Sequence, residues 1–300
     1  MRTFSPPSRV YGVDFSGAQD AGRNIWLAEG TIDDGGRADA DEDADTAGDP
    51  TGTVDCDDLR IHDCRPATEW FDLPAARNQI LPALTAFLGG LPAGTAVGLD
   101  FPFGLPSPLV GVDNWETFLV DFPSIYSSPE ELRTRCTERA GLVGDGEKTK
   151  LFRATDEPMA ALSPYDIRLQ SQTFYGIRDV LRPLVTAGRV RVHPMQSPSA
   201  DKPSLLEVYP AGTLDDLGLH HTKYKDGSEA GRERREEILD GLADHGITIA
   251  DDVRKRALED DGGDALDAVV ATVGTYRNTR GSANLTTADE LTAIEGYIYV

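Results

Sequence analysis

The chain has 300 residues, and its 29 lysines and arginines against 51 aspartates and glutamates give a formal net charge of −22 at pH 7. Its 39% of hydrophobic residues exclude a purely disordered acidic protein. No apolar stretch approaches the roughly 18 residues of a membrane span, so we expect a cytoplasmic protein without a membrane partner. The acidity is typical of adaptation to high salt. At 1 M salt the Debye length is roughly 3 Å, so the negative charge of the protein does not repel nucleic acid over long distances. The net charge therefore does not exclude a nucleic-acid substrate.

Alternating strand and helix patterns indicate one α/β domain over residues 1–300. Strands are predicted over residues 9–15, 24–32, 59–64, 95–101 and 204–209. Between the second and third strands, residues 33–58 hold eleven carboxylates and one basic residue. Such a tract cannot bury enough apolar area to fold alone, so we expect an acidic hairpin insertion whose tip is disordered or solvated.

The helical segments separate and follow these strands. Apolar spacing predicts a helix over 76–89, and residues 107–164 are predicted to be an irregular insertion with short helices at 114–122 and 129–140. Later helices are predicted over 164–187, 229–245 and 263–277. Three cysteines without C-x-x-C spacing indicate neither a disulfide framework nor a zinc ribbon.

Two of the predicted strands end in the same pattern. Residues 12–15 read Gly-Val-Asp-Phe, and residues 98–101 read Gly-Leu-Asp-Phe. A lone ionised carboxylate is costly to desolvate in a strand that is covered on both faces, so the repeated acids, Asp14 and Asp100, indicate a function. An aspartate that caps a turn is the alternative interpretation of Asp14.

Three further acids are candidates for the same site. Asp264 and Asp267 are three residues apart and share one face of a helix whose neighbouring residues are apolar. Glu207 lies in the last predicted strand, where a glutamate that accepts hydrogen bonds from a loop is almost as good an interpretation. Two carboxylates about 4 Å apart repel by roughly 4 kcal/mol at an effective dielectric near 20. Convergent acids therefore need protons or a cation, and the sequence predicts a metal site.

Five motifs together resemble the domain of unknown function 429 family. They are residues 12–18, 98–106, 207–210, 223–225 with Arg232, and 263–268 continuing to 295–298. The resemblance covers nearly the whole chain, and the family is regarded as a predicted nuclease group with a ribonuclease H-like fold. It implies a five-stranded mixed sheet, with three antiparallel strands before two parallel ones, flanked by helices.

The resemblance also implies roles for the acids. In related folds such as Holliday-junction resolvases, acids on the first and fourth strands and a pair on the last helix hold two divalent ions. Asp14, Asp100, Asp264 and Asp267 match those positions, with Asp14, Asp100 and Asp267 as metal ligands. Carboxylate oxygens suit Mg²⁺ or Mn²⁺. The implied reaction is two-metal hydrolysis of phosphodiester bonds in nucleic acid.

Basic residues in two stretches are candidates for substrate contacts, because a phosphate backbone could follow them. They are Lys148, Lys150 and Arg153 in the first stretch and Lys223, Lys225 and Arg232 in the second. Arginines that only offset nearby acids explain the first stretch equally well. Nothing in either stretch reads bases or distinguishes DNA from RNA.

Two other classes of protein stay open. An actin-like ATPase or sugar kinase shares the fold and uses similar Asp-containing turns to hold Mg-ATP. It normally needs a second copy of the fold, and residues 150–300 show no second strand and turn like those of residues 10–18. A non-catalytic ribonuclease H-like scaffold is the other alternative, and the four acids argue against it.

Overall fold

The structure is a computed structural model that describes residues 5–32, 58–144, 149–287 and 289–300. In these ranges the chain forms one mixed sheet of eight strands, with helices packed on both faces. The strands are β1 (Arg9–Asp14), β2 (Trp26–Ile32), β3 (Leu59–Pro66), β4 (Thr95–Asp100), β5 (Arg191–His193), β6 (Ser204–Val208), β7 (Thr248–Ile249) and β8 (Ile298–Tyr299). Their order is β5-β6-β4-β1-β2-β3-β7, and β8 also pairs with β6.

The helices vary widely in length. They are α1 (Ala21–Asn24), α2 (Ala67–Phe71), α3 (Arg77–Gly90), α4 (Ser107–Val110), α5 (Trp115–Ile125), α6 (Pro129–Val143), α7 (Gln170–Tyr175), α8 (Arg182–Thr186), α9 (Pro210–Asp216), α10 (Glu229–Asp244), α11 (Asp251–Glu259), α12 (Asp264–Asn278) and α13 (Thr292–Glu295). A π-helical segment, Gly176–Leu181, joins α7 to α8, and a 3₁₀ turn covers Ser282–Leu285. Within the described ranges, no helix has the length and hydropathy needed to cross a bilayer.

The five predicted strands are present, but the predicted strand count was wrong. β1 is antiparallel to β2, β2 is antiparallel to β3, and β4 and β6 run parallel to β1. Three short strands, β5, β7 and β8, extend the sheet by pairing parallel to its outer strands. With two or three residues each, they are too short to show the alternating pattern on which strand prediction depends.

Of the two predicted insertions, the structure describes mainly the second. The acidic tract over residues 33–58 lies outside the described residues apart from Asp58. In the insertion over residues 107–164, α5 and α6 lie where the two short helices were predicted, α4 is additional, and residues 149–164 contain neither helix nor strand. Side-chain caps explain two of these helices: Asn114 accepts a hydrogen bond from Thr117 N at the start of α5, and Ser128 accepts one from Glu131 N in α6.

The helix predicted over 164–187 begins later than expected. Residues 164–169 form turns, and α7 starts only at Gln170. The carboxylate of Asp166 accepts a hydrogen bond of 3.0 Å from the backbone N–H of Arg168. Because a short acidic side chain that bonds to a nearby backbone N–H competes with the helical pattern, the turn persists there.

Close contact between α12 and the sheet positions the ends of β1 and β4. Gly12 and Gly98 are partners in the parallel register. A Cβ atom at Gly12 would lie 2.2 Å from the carbonyl oxygen of Ala268, and one at Gly98 would lie 2.1 Å from Oγ1 of Thr275. The two glycines therefore form a shallow channel that lets α12 approach the centre of the sheet closely.

We expect Gly12→Ala to destabilise the protein by about 3 kcal/mol, because the two nearest atoms that the new methyl group meets are backbone atoms and cannot rotate away. Chemical denaturation monitored by circular dichroism would measure this. Gly141→Ala is the matched control, since a Cβ there meets nothing within 4 Å. The control should be neutral or slightly stabilising in its helix. Equal effects of the two substitutions would contradict the close approach of α12.

Candidate metal centre

Three aspartates meet where β1 and β4 end beneath the first turn of α12. Asp14 and Asp100 are partners in the parallel register, so their side chains leave the sheet on the same face. Asp267 lies in the first turn of α12. One carboxylate oxygen from each of the three lies within 4.8 Å of the other two, a grouping that can hold a metal ion. The structure thus brings together the three residues predicted as metal ligands.

Asp264 begins α12, one turn before Asp267. It is half-buried and lines the same cleft as Asp14 and Asp100. It stands outside the three-oxygen grouping, so its main effect on the cluster is electrostatic. The first turn of α12 therefore contributes one close acid and one peripheral acid.

Burial and mutual repulsion disfavour the charged form of these acids. Burial, followed by the charges of Asp267 and Asp264, raises the pKa of Asp14 well above its usual value. Burial and then Asp267 raise the pKa of Asp100 to about 7. Burial and then Asp260 raise the pKa of Asp264 to about 6. The cluster therefore holds protons at neutral pH unless a cation replaces them.

A tyrosine and a lysine from the loop before α10 bind Asp267. The hydroxyl of Tyr224 donates a hydrogen bond of 2.7 Å to Oδ1 of Asp267, and the ammonium of Lys225 donates to Oδ2. Burial opposes the charge of Lys225, but Asp267 and Asp14 outweigh it and raise the pKa of the lysine. Lys225, predicted as a substrate contact, thus lies inside the acid cluster.

Glu207 and Arg153 form a buried ion pair beside the cluster. Nη1 of Arg153 lies 2.7 Å from Oε2 of Glu207, which also accepts a hydrogen bond of 2.8 Å from the backbone N–H of Phe103. Nη2 of Arg153 lies 2.8 Å from Oδ1 of Asp156. Neither Glu207 nor Arg153 can take its predicted catalytic or phosphate-binding role without breaking these pairs.

The other predicted substrate contacts do not converge on the cleft. Lys150 pairs with Asp166 at 2.6 Å, and the guanidinium of the exposed Arg232 donates to the carbonyl oxygen of Leu258, at 3.5 Å. Lys223 is exposed and lines a shallow recess next to the cluster. Lys148 lies outside the described residues.

The acid cluster opens into a cleft of about 500 Å³. Asp14, Asp100, Asp264 and Lys225 line its polar end. Apolar side chains also line it, among them Phe15, Phe101, Leu162, Leu169 and Ile298, together with the polar Arg153 and Glu207. A site with a few convergent polar groups in an apolar cleft has the usual form of a small-substrate or reacting-group site.

Next to this cleft lies a groove of about 890 Å³ that the sequence analysis missed. Arg77, Arg178, Arg182 and Tyr175 line it. Nη1 of Arg77 donates to the carbonyl oxygen of Gly17, at 2.5 Å, in the turn that follows β1. The four-residue spacing of Arg178 and Arg182 is visible in the sequence, but Arg77 comes from a distant helix, and only the fold brings it to them.

Together the fold and the cluster define an α/β protein with a carboxylate centre at the carboxyl ends of the parallel strands of a mixed sheet. Residues 52–292 match the family described as Protein of unknown function (DUF429), and the chain belongs to this family. The matched range includes Asp100, Lys225 and Asp267, whereas Asp14 precedes it. No match was found among curated proteins or among solved structures.

Proposed function

We propose that this protein is a divalent-metal-dependent nuclease with a ribonuclease H-like fold. The observation that carries the proposal is the convergence of Asp14, Asp100 and Asp267 within 4.8 Å at the ends of paired parallel strands. The fold assignment is supported by the order β3-β2-β1-β4-β6 within the sheet. Its three antiparallel strands followed by two parallel ones agree with the arrangement that the family resemblance implies.

The donor set fits a hard divalent cation. Within the described residues the grouping consists of carboxylates alone, the ligands that Mg²⁺ and Mn²⁺ prefer. The Asp14 side chain is only 7% exposed and lines the cleft, and no described residue gives it a hydrogen bond or ion pair. A buried carboxylate without a partner is costly in free energy, so a cation beside Asp14 would stabilise the folded protein.

Each part of the site has a separate task in this proposal. Bound divalent ions would polarise the phosphate, activate water and take up the charge that develops on the leaving oxygen. Asp14 and Asp100 hold their carboxylates on rigid strands, so the ligand geometry is fixed before substrate arrives. Tyr224 and Lys225 hold Asp267 in one orientation.

The alternative, an actin-like ATPase or sugar kinase, has weaker support. That class uses two copies of the fold, and the described residues form one sheet around one cleft of this kind. The scaffold alternative leaves the raised pKa values and the unpartnered Asp14 without a role. Nuclease activity is therefore the function that these observations support best.

We expect labelled single-stranded and duplex DNA and RNA to be cleaved in high KCl with Mg²⁺ or Mn²⁺, and to stay intact with EDTA. Gel electrophoresis of the products would show this. In a parallel thermal-shift assay, ATP with Mg²⁺ should add little to the effect of Mg²⁺ alone. Strong ATP-dependent stabilisation would favour the phosphotransferase, and a complete lack of response to metal would leave only the scaffold.

A further inference from the structure

The oxygen atoms of Asp267 are already bound by the protein. Tyr224 donates to Oδ1 and Lys225 donates to Oδ2. The Asp267 side chain is 2% exposed, and each of its oxygens already accepts a hydrogen bond from a protein donor. A divalent ion at Asp267 would therefore compete with the lysine ammonium for the same carboxylate.

The loop that carries Lys225 is itself anchored. Nη1 of the buried Arg235 donates hydrogen bonds to the carbonyl oxygens of Tyr224, at 2.6 Å, and of Asp226, at 2.9 Å. The stem of Lys225 packs on Gly263, where a Cβ would lie 3.0 Å from the lysine Cγ. These contacts on both sides of Lys225 direct its ammonium to Asp267. The surrounding structure therefore fixes the position of the ion pair.

The other side of the cluster is different. Asp14 and Asp100 lie side by side on the paired strands and line the open cleft. No described residue forms a hydrogen bond or ion pair with the buried Asp14 carboxylate, so it is the ligand in greatest need of a cation. Among the described residues, the Asp267 half of the cluster is hydrogen-bonded to a protein cation and the Asp14 half is not.

Charge also limits the number of ions. The four aspartates of the site are Asp14, Asp100, Asp264 and Asp267. When ionised, they and Lys225 carry a net charge of −3. One divalent ion brings this to −1, whereas a second would make it +1 and would press two like charges together near Lys225.

We infer that Lys225 acts as a built-in cation of the centre, so that the centre binds a single divalent ion between Asp14 and Asp100. This deepens the proposed function, on which it rests, by fixing the number and place of the ions. It also replaces the two-ion arrangement that the family resemblance implies.

Counting bound Mn²⁺ by electron paramagnetic resonance tests the inference without any activity measurement. The metal-free full-length protein is titrated with Mn²⁺, and the free ion gives the signal. We expect one bound ion per wild-type chain and two per chain in Lys225→Met. Lys255→Met is the matched control, since Lys255 is exposed and lines neither the cleft nor the recess beside the cluster, and it should bind one ion.

A second pair of variants serves if Lys225→Met fails to fold. Asp267→Asn should still bind one ion, with affinity reduced about tenfold or less, whereas Asp14→Asn should bind none. Two ions of similar affinity in the wild type, or one ion in a folded Lys225→Met, would overturn the inference. So would a wild type that binds none.

The nuclease proposal has a separate outcome. Two ions together with metal-dependent cleavage would refute the role of Lys225 and leave the nuclease intact. One ion in the wild type and two in Lys225→Met, without cleavage of any nucleic acid, would uphold the role of Lys225 and refute the nuclease.

Discussion

Asp14→Asn should abolish the stabilisation of the protein by Mn²⁺ and lower the rate of metal-dependent cleavage by about 10³-fold or more. The substitution keeps the size of the side chain but removes the charge from the buried ligand that lacks a protein partner. The metal-free fold should be as stable as the wild type or more stable. Removing one acid from an empty cluster relieves repulsion of a few kcal/mol at most, whereas removing it from a filled site deletes a ligand.

Thermal unfolding with and without Mn²⁺, together with a cleavage assay, measures both halves of this prediction. Asp113→Asn is the matched control, because it makes the same chemical change at an exposed aspartate away from the cleft. The control should respond to Mn²⁺ like the wild type. A full Mn²⁺ response in Asp14→Asn would place the metal site elsewhere in the chain.

The sequence was sufficient to find the acids on the sheet. The pattern Gly-x-Asp-Phe at the ends of two apolar strands places Asp14 and Asp100 on one edge, and strand pairing then makes them neighbours. The same glycines explain why α12 reaches the strand ends. Their close contacts with Ala268 and Thr275 could not be read from spacing, because they depend on how a helix far along the chain packs on the sheet.

The sequence was not sufficient to assign the basic residues. Tyr224 and Lys225 lie in a loop 43 and 42 residues before Asp267, and no local pattern fixes where such a loop packs. Arg153 carries the positive charge expected of a phosphate contact, but its buried guanidinium forms ion pairs with Glu207 and Asp156. The positive charge of a stretch of sequence therefore predicts neither whether its basic side chains are exposed nor which groups they bind, since both depend on tertiary contacts.

The acid cluster also affects stability in the absence of metal. Asp100, with a pKa raised to about 7, and Asp264, with a pKa raised to about 6, bind protons in the folded state at pH values where the unfolded chain has released them. An unfolded aspartate has a pKa of about 3.9. Because the folded state binds more protons than the unfolded state, the contribution of these groups to stability is present below about pH 4 and falls as the pH rises.

We therefore expect the metal-free protein to lose stability between about pH 4 and pH 8, by roughly 1.4 kcal/mol for each unit by which folding raises a pKa. Other acids also titrate in this range, so the informative quantity is the difference in unfolding free energy between the wild type and Asp100→Asn. This difference should move in favour of the variant as the pH rises through about 7, the pKa of Asp100. Asp113→Asn should show no such trend.

Mn²⁺ should reverse the trend, because it binds the deprotonated acids and competes with their protons. Its stabilising effect on the wild type should be small at about pH 5 and large at about pH 8, as measured by chemical denaturation at each pH. An Mn²⁺ effect of constant size across this range would mean that the acids of the cluster are already ionised at pH 5. The charge of Lys225 would then be enough to keep the neighbouring acids ionised, and a divalent ion would have no proton to displace.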